Sequence, residues 1–256
     1  MLARPGSSGR GPRPRGGGGR GGRLGGPPAT RTRRPGGSCG PADASALLRA
    51  EETAGIERHA RRFEGAWCSL ELLAECAGLS DPLDERVVEA YWIGNDLLDL
   101  ASSRAVLDRL LDRFRGQSGG TWQGARERAR AHHTFQVFEV YPWARLLRDS
   151  GRPTALTVLD RCRIRTGVVR SVEGESATVE SRPLTWTGGE LVQGPVRRES
   201  VRWSTGGRSL LGGVSPGDRV ALHWDWVCDV LTETQAARIE SSEARQLGWL
   251  AGVSVG

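Results

Sequence analysis

Near residue 150 the spacing of apolar residues changes, and that change constrains the fold more than any single motif. Before it, apolar residues recur every three or four positions; after it, they alternate with polar ones. A chain carrying both periods needs two kinds of layer, helices first and a sheet second. Its 256 residues leave room for one large or two small domains.

The helical period is carried by Ile56, Ala60, Phe63, Trp67, Leu70 and Ala74, one stripe of a long helix that Gly78 would end. Asp43 is placed to cap the first helix, before "ASALLRA". Ser80, Asp81 and Pro82 then signal a new start, with Val87, Val88, Tyr91 and Trp92 as the buried face. "SSRAVLDRLLDRF" repeats the pattern, and "GQSGG" at 116–120 breaks it. A further helical stretch from Trp122 to about Arg148 contains "HHTFQVFEVYPW", which Pro142 should kink or divide.

Beyond Gly151 and Pro153, "RIRTGVVRSVEGESATVESRPLTW" alternates, with a turn expected at Glu173-Gly174. "SPGD" at 215–218 is a second turn, "RVALHWDWVCDVL" reads as one strand, and "TETQAARIESSEARQLGWL" closes as a helix. About five short strands and a terminal helix predict a small closed sheet of the OB type. The expected class is therefore α+β: a disordered tail over 1–40, an all-helical domain over 41–152, and an OB-like β-barrel with its C-terminal helix over 158–250.

The net charge of +6 belongs to the tail. Residues 1–40 carry nine arginines and no acid, so the remainder is net −3. A folded part of that sign argues against nucleic acid as the main partner. "GGGGRGGR" could hold RNA loosely by charge and stacking, or the tail could have no function. The five cysteines are scattered without a CxxC pair, which points to reduced thiols in the cytoplasm. No segment approaches the ~20 apolar residues of a membrane span, and the N-terminus has no apolar core of a signal peptide.

Cys68 and Cys76 read as small core residues of one helix. Cys162 differs, because Arg161, Arg163 and Arg165 surround it and favour its thiolate, the metal-binding form. His132 and His133 are neighbours that cannot grip one ion together without a third partner. One packed and one solvated histidine is the plain expectation, and a site between the two domains is the other.

The β domain resembles the hydrogenase maturation factor family HypC. "CRIRTGVV" sets Cys162 and Gly167 at the spacing of that family's Met-Cys-x-x-x-Pro-Gly-x-Val start, with Thr166 in place of the proline. "SVEGESATVES", "VRRESV", "PGDRVALHWDWV" and "VLTETQAARIESSEARQL" follow in the family's order, and the third aligns His223 with the family histidine. Two further departures are an internal rather than near-terminal cysteine and the insertion "RPLTWTGGELVQG". The whole chain is also similar to an uncharacterised family of high-GC bacteria associated with nickel–iron hydrogenase gene clusters.

The resemblance implies an iron carrier, not an enzyme. Cys162 and His223 would hold iron bearing cyanide and carbonyl ligands, for transfer with a HypD-like partner to the hydrogenase large-subunit precursor. Thiolate and imidazole suit such a centre. On a continuous strand His223, Asp225 and Val227 share a face opposite Leu222, Trp224, Trp226 and Cys228, and Asp225 could orient the imidazole if the strand bends. Two other readings are carried forward. One is a metal-free OB-type module binding single-stranded nucleic acid or a protein, with Trp186, Trp203 or Trp224 as stacking surfaces. The other is an acid–base catalyst pairing His132 or His133 with Glu139, which no neighbouring nucleophile or phosphate loop supports.

Overall fold

The computed structural model describes residues 60–61, 64–114 and 122–252. The expected tail, the Asp43 cap and the "GQSGG" break lie outside them. The helical half comprises α1 (Glu64–Cys76), α2 (Glu85–Trp92), α3 (Ser103–Arg113), the short α4 (His133–Phe135) running into a π-helical turn (Gln136–Val140), α5 (Trp143–Ser150) and α6 (Pro153–Cys162). Its caps are side chains of the expected types, though one is displaced. Asp84, not Ser80 or Asp81, caps α2 by accepting from Arg86 N, and Ser102 caps α3 by accepting from Ala105 N. Trp67, Leu70, Leu73, Val87, Val88, Tyr91, Val106 and Leu110 meet in one apolar cluster. Cys68 joins that core, but Cys76 is exposed at the end of α1, so only one of the two cysteines is a core residue.

Pro153 does not separate helix from sheet. Gly151 takes the left-handed conformation (φ 58°) that ends α5, and two residues later Pro153 opens α6, where its missing N–H costs nothing. The helical half therefore runs through Cys162, which is the last residue of a helix rather than the first of a strand.

Five strands then close a barrel in the order β1-β2-β5-β7-β6: β1 (Arg165–Glu173), β2 (Ser176–Ser181), β5 (Arg197–Arg202), β6 (Arg219–His223) and β7 (Trp226–Val230). Neighbours are antiparallel except β5 and β7, which meet in parallel at Arg202 and Trp226. This is the OB-type arrangement. Val169, Val179, Val201, Val220, Leu222 and Val227 fill its interior. The insertion "RPLTWTGGELVQG" forms a separate ribbon of β3 (Leu184–Thr187) and β4 (Glu190–Gln193). The long helix α7 (Glu233–Gly252) closes the described chain.

"RVALHWDWVCDVL" is not one strand. It is the hairpin of β6 and β7, turning at Trp224-Asp225 with His223 paired to Trp226. Cys228 is the extra residue of a bulge between the pairs Ala221–Asp229 and Leu222–Val227. The single-strand alternation drawn through Asp225 and Val227 therefore does not apply.

Two apolar seams join the halves. Val137, Phe138, Leu147, Leu159 and Cys162 pack with Leu184 and Leu191 of the ribbon, and Ile93 packs with Ile164, Ala221, Leu231 and Ile239. Across them α7 reaches both ways. Arg238 bonds the Gly94 carbonyl and Asp96, and Gln235 bonds Glu89, on the helical side. Glu243 bonds Arg163, and Glu240 bonds Thr166, on the other.

Candidate metal centre

Three residues from three elements converge where the seams meet. One ring nitrogen each from His133 and His223 and the Sγ of Cys162 all lie within 4.8 Å of one another. The backbone explains how they come together. Cys162 ends α6 with a wholly buried side chain. The β6–β7 turn is pinned beside it from both flanks: the Trp224 N–H donates to the Arg161 carbonyl (2.6 Å), and Arg165 Nη2 donates to the Trp224 carbonyl (2.9 Å). These clamps hold Trp224 at φ 56°, a conformation rare for an aromatic residue. On β6, Val220 and Leu222 point into the barrel, so Ala221 and His223 face outward, toward the helical half.

The neighbouring histidines take different roles. His132 caps α4, its Nδ1 accepting from the Thr134 N–H at 3.1 Å. That cap leaves His133 as the first helical residue, with its ring beside Cys162. His133 Nε2 lies 2.7 Å from the Cys162 carbonyl, and its Nδ1 lies 3.3 Å from the Tyr91 hydroxyl. Both histidines are buried, so neither is the solvated member of a pair.

Aromatic rings wall the cluster. Trp92 lies 4.3 Å from the His133 ring and 5.4 Å from that of His223, centroid to centroid, and the two imidazoles are 5.4 Å apart, nearly perpendicular. Trp224 stands 6.4 Å from His223. Trp92, His223 and Trp224 are only half-buried, so this side is the more accessible one.

Burial dominates the proton affinities. It pushes His132 down to about 4 and His133 down to about 3, and it takes His223 well below the usual histidine value. The charge of Arg165 adds to the effect on His223. All three are therefore neutral imidazoles at neutral pH, the protonation state that binds metals. His223 Nε2 is buried and has no hydrogen-bond partner among the described residues. A ring nitrogen of His223 near a thiol and a second imidazole nitrogen makes a ligand set that an ion could complete.

The donor set fits a first-row transition metal, for which imidazole and thiolate are both suitable ligands. Ligands ~2.0–2.3 Å from a tetrahedral ion stand roughly 3.3–3.6 Å apart. Closing from the 4.8 Å bound needs about 1 Å of side-chain movement.

The other candidates lie elsewhere. Asp225 sits in the β6–β7 turn, where its carboxylate accepts from Arg202 at 2.9 Å. It is bound away from the imidazole it was expected to orient. Glu139 is held by Arg128 (2.8 and 2.9 Å) and by Gln246 (2.7 Å). Trp186 and Trp224 pack into the seam, and Trp203 packs on the barrel core with its Nε1 donating to Gly174. The residue that sequence reasoning underweighted is His133. Its signal was the Trp92, His133 and His223 set of ring-bearing residues, but nothing in their spacing says that they meet.

No helix among the described residues is long and apolar enough to cross a membrane. Neither a curated protein nor a solved structure matches the chain. The model of a family of unknown function (DUF6390) matches residues 34–254, most of the length, and the chain belongs to that family.

Proposed function

We propose that this protein is a cytoplasmic hydrogenase maturation accessory that carries iron, as cargo, on Cys162 and His223. The observation that carries the reading is the approach of the Cys162 thiol to a buried histidine cluster in which His223 Nε2 has no other partner. The resemblance of residues 162–247 to HypC supplies the identity of the cargo. Its partners would be a HypD-like protein and the large-subunit precursor of a nickel–iron hydrogenase.

Local charge favours this cargo over a bare dication. Arg165 is buried, lies close enough to His223 to lower its proton affinity, and has an Nη1 without a partner among the described residues. Glu199 neutralises part of that charge through two bonds of 3.2 and 2.8 Å. The remaining positive field leaves room for an added dication but favours a complex whose cyanides and thiolate outweigh the iron charge. The half-buried edge at Trp92 and Trp224 is where a partner could reach the cargo. The alternative of a nucleic-acid module would have to stack bases on Trp186, Trp203 or Trp224, each of which is half-buried against a core cluster.

The test is co-purification with the HypD-like partner, followed by infrared spectroscopy. Wild type is expected to show cyanide and carbonyl stretching bands and bound iron. The Cys162→Ala variant is expected to lose both. Identical empty spectra from the two proteins would remove the carrier role.

A further inference from the structure

We infer that His133 is a third metal ligand, supplied to the barrel by the helical half and oriented by Tyr91. The inference rests on the preceding reading for the other two ligands, Cys162 and His223, but not for the identity of the metal.

The hydrogen bonds show the resting arrangement of His133. A carbonyl oxygen can only accept, so the 2.7 Å contact to Cys162 O places the ring proton on Nε2. Nδ1 is then the acceptor, and the Tyr91 hydroxyl donates to it across 3.3 Å. In this arrangement Nε2, the nitrogen on the Cys162 side, has no lone pair to offer. His133 is latched to the backbone of the residue whose sulfur it would share an ion with.

Ligation needs one exchange. Nε2 leaves the Cys162 carbonyl and binds the metal through its lone pair. The ring proton moves to Nδ1 by way of water, and the Tyr91 hydroxyl turns from donor to acceptor for it. The Cys162 thiol loses its proton to solvent as its sulfur binds. His133 thus keeps one proton throughout, and the thiol proton is the one released. Tyr91 suits both states because a hydroxyl can donate or accept. A ligating histidine whose other N–H is held by an oxygen is the usual arrangement at such sites.

The site also makes sense of the architecture. Cys162 ends α6 in the helical half and His223 ends β6 in the barrel, so the pair already bridges the two halves. His133, at the start of α4, adds a second ligand from the helical half. Three protein ligands leave at least one coordination position for a fourth group.

The experiment uses the whole chain and bare ions. Co(II) titration reads affinity and thiolate-to-metal absorption, and Zn(II) with histidine-selective 15N NMR reads the His133 tautomer. Wild type is expected to bind Co(II) with a thiolate absorption band, and His133 to pass from the Nε2–H to the Nδ1–H form on adding Zn(II). His133→Gln is expected to bind Co(II) at least about tenfold more weakly while keeping the thiolate band, and Tyr91→Phe to weaken binding by about tenfold. His133→Gln binding as wild type does, or an unmoved His133 tautomer in zinc-loaded wild type, would overturn the inference while leaving the Cys162–His223 pair standing. Cys162→Ser binding with undiminished affinity would remove the pair instead. A wild-type chain that takes up neither ion overturns both. Should His133→Gln fail to fold by circular dichroism, the wild-type tautomer alone decides.

Discussion

The buried His132 and His133 and the half-buried His223 make stability depend on pH. Burial depresses His132 to about 4 and His133 to about 3, against an ordinary value of 6.5, and depresses His223 as well. The unfolded chain therefore binds more protons than the folded one below pH ~6.5. Their contribution is fully present above that pH and is lost as pH falls toward the folded values. Going from pH 7 to pH 5 should cost about 2 kcal/mol for each of His132 and His133. Urea midpoints of chelator-treated protein are expected to fall accordingly, and His132→Asn, which keeps a capping oxygen, to shallow the slope by one histidine's share. A midpoint that does not move between these pH values would contradict the neutral cluster. At this scale the sequence held part of the answer. Cys162 and His223 stood out by resemblance and by flanking arginines. Choosing between His132 and His133 depended on which ring was taken by a cap. The bond from Thr134 N to His132 decides that, and no spacing rule reveals it.

Between elements, buried charge does the tying. Arg163, next to Cys162, bonds Glu243 of α7, Asp160 of α6 and the Arg182 carbonyl, and it is almost wholly buried, as is Glu243. Losing Glu243 leaves Arg163 with Asp160 and the Arg182 carbonyl but with one dry N–H unpaired. Glu243→Ala is expected to cost about 2–3 kcal/mol. Glu240→Ala, one turn away on a half-exposed pair with Arg219, should cost less than about 1 kcal/mol. Denaturant titration of the two variants checks the contrast, and equal losses would mean that the Arg163 network does not hold α7. Elements with strong periods were legible: α1, α3, the β1–β2 hairpin and α7. Two were not. The β6–β7 turn carries Trp224-Asp225, with no glycine, asparagine or proline to mark it, because the clamps from Arg161 and Arg165 impose its conformation. The helix α6 was hidden because Pro153 reads equally well as a breaker and as a first helical residue.

Along the whole sequence, the net positive charge lies in residues 1–40 and the candidate ligands lie beyond them. Without residues 1–40 the formal charge passes from +6 to −3, since nine arginines and no acid are removed. A chain lacking them is expected to lose retention on a cation exchanger and any salt-sensitive hold on RNA, yet to bind Co(II) as the full chain does. Persistent RNA binding by the shortened chain would favour the nucleic-acid reading. The two-part plan and the barrel class were readable from the change of period. The joint between them was not, because seams such as Ile93 with Ile164 and Leu231 bring together residues far apart in the chain. The same joint has a temporal side. A ribosome makes His133 and Cys162 well before His223, and α7, which clasps both halves, later still. The growing chain thus presents a bare sulfur to oxidants and stray ions until β6 and α7 have emerged, so safe loading is an event that follows synthesis rather than accompanies it.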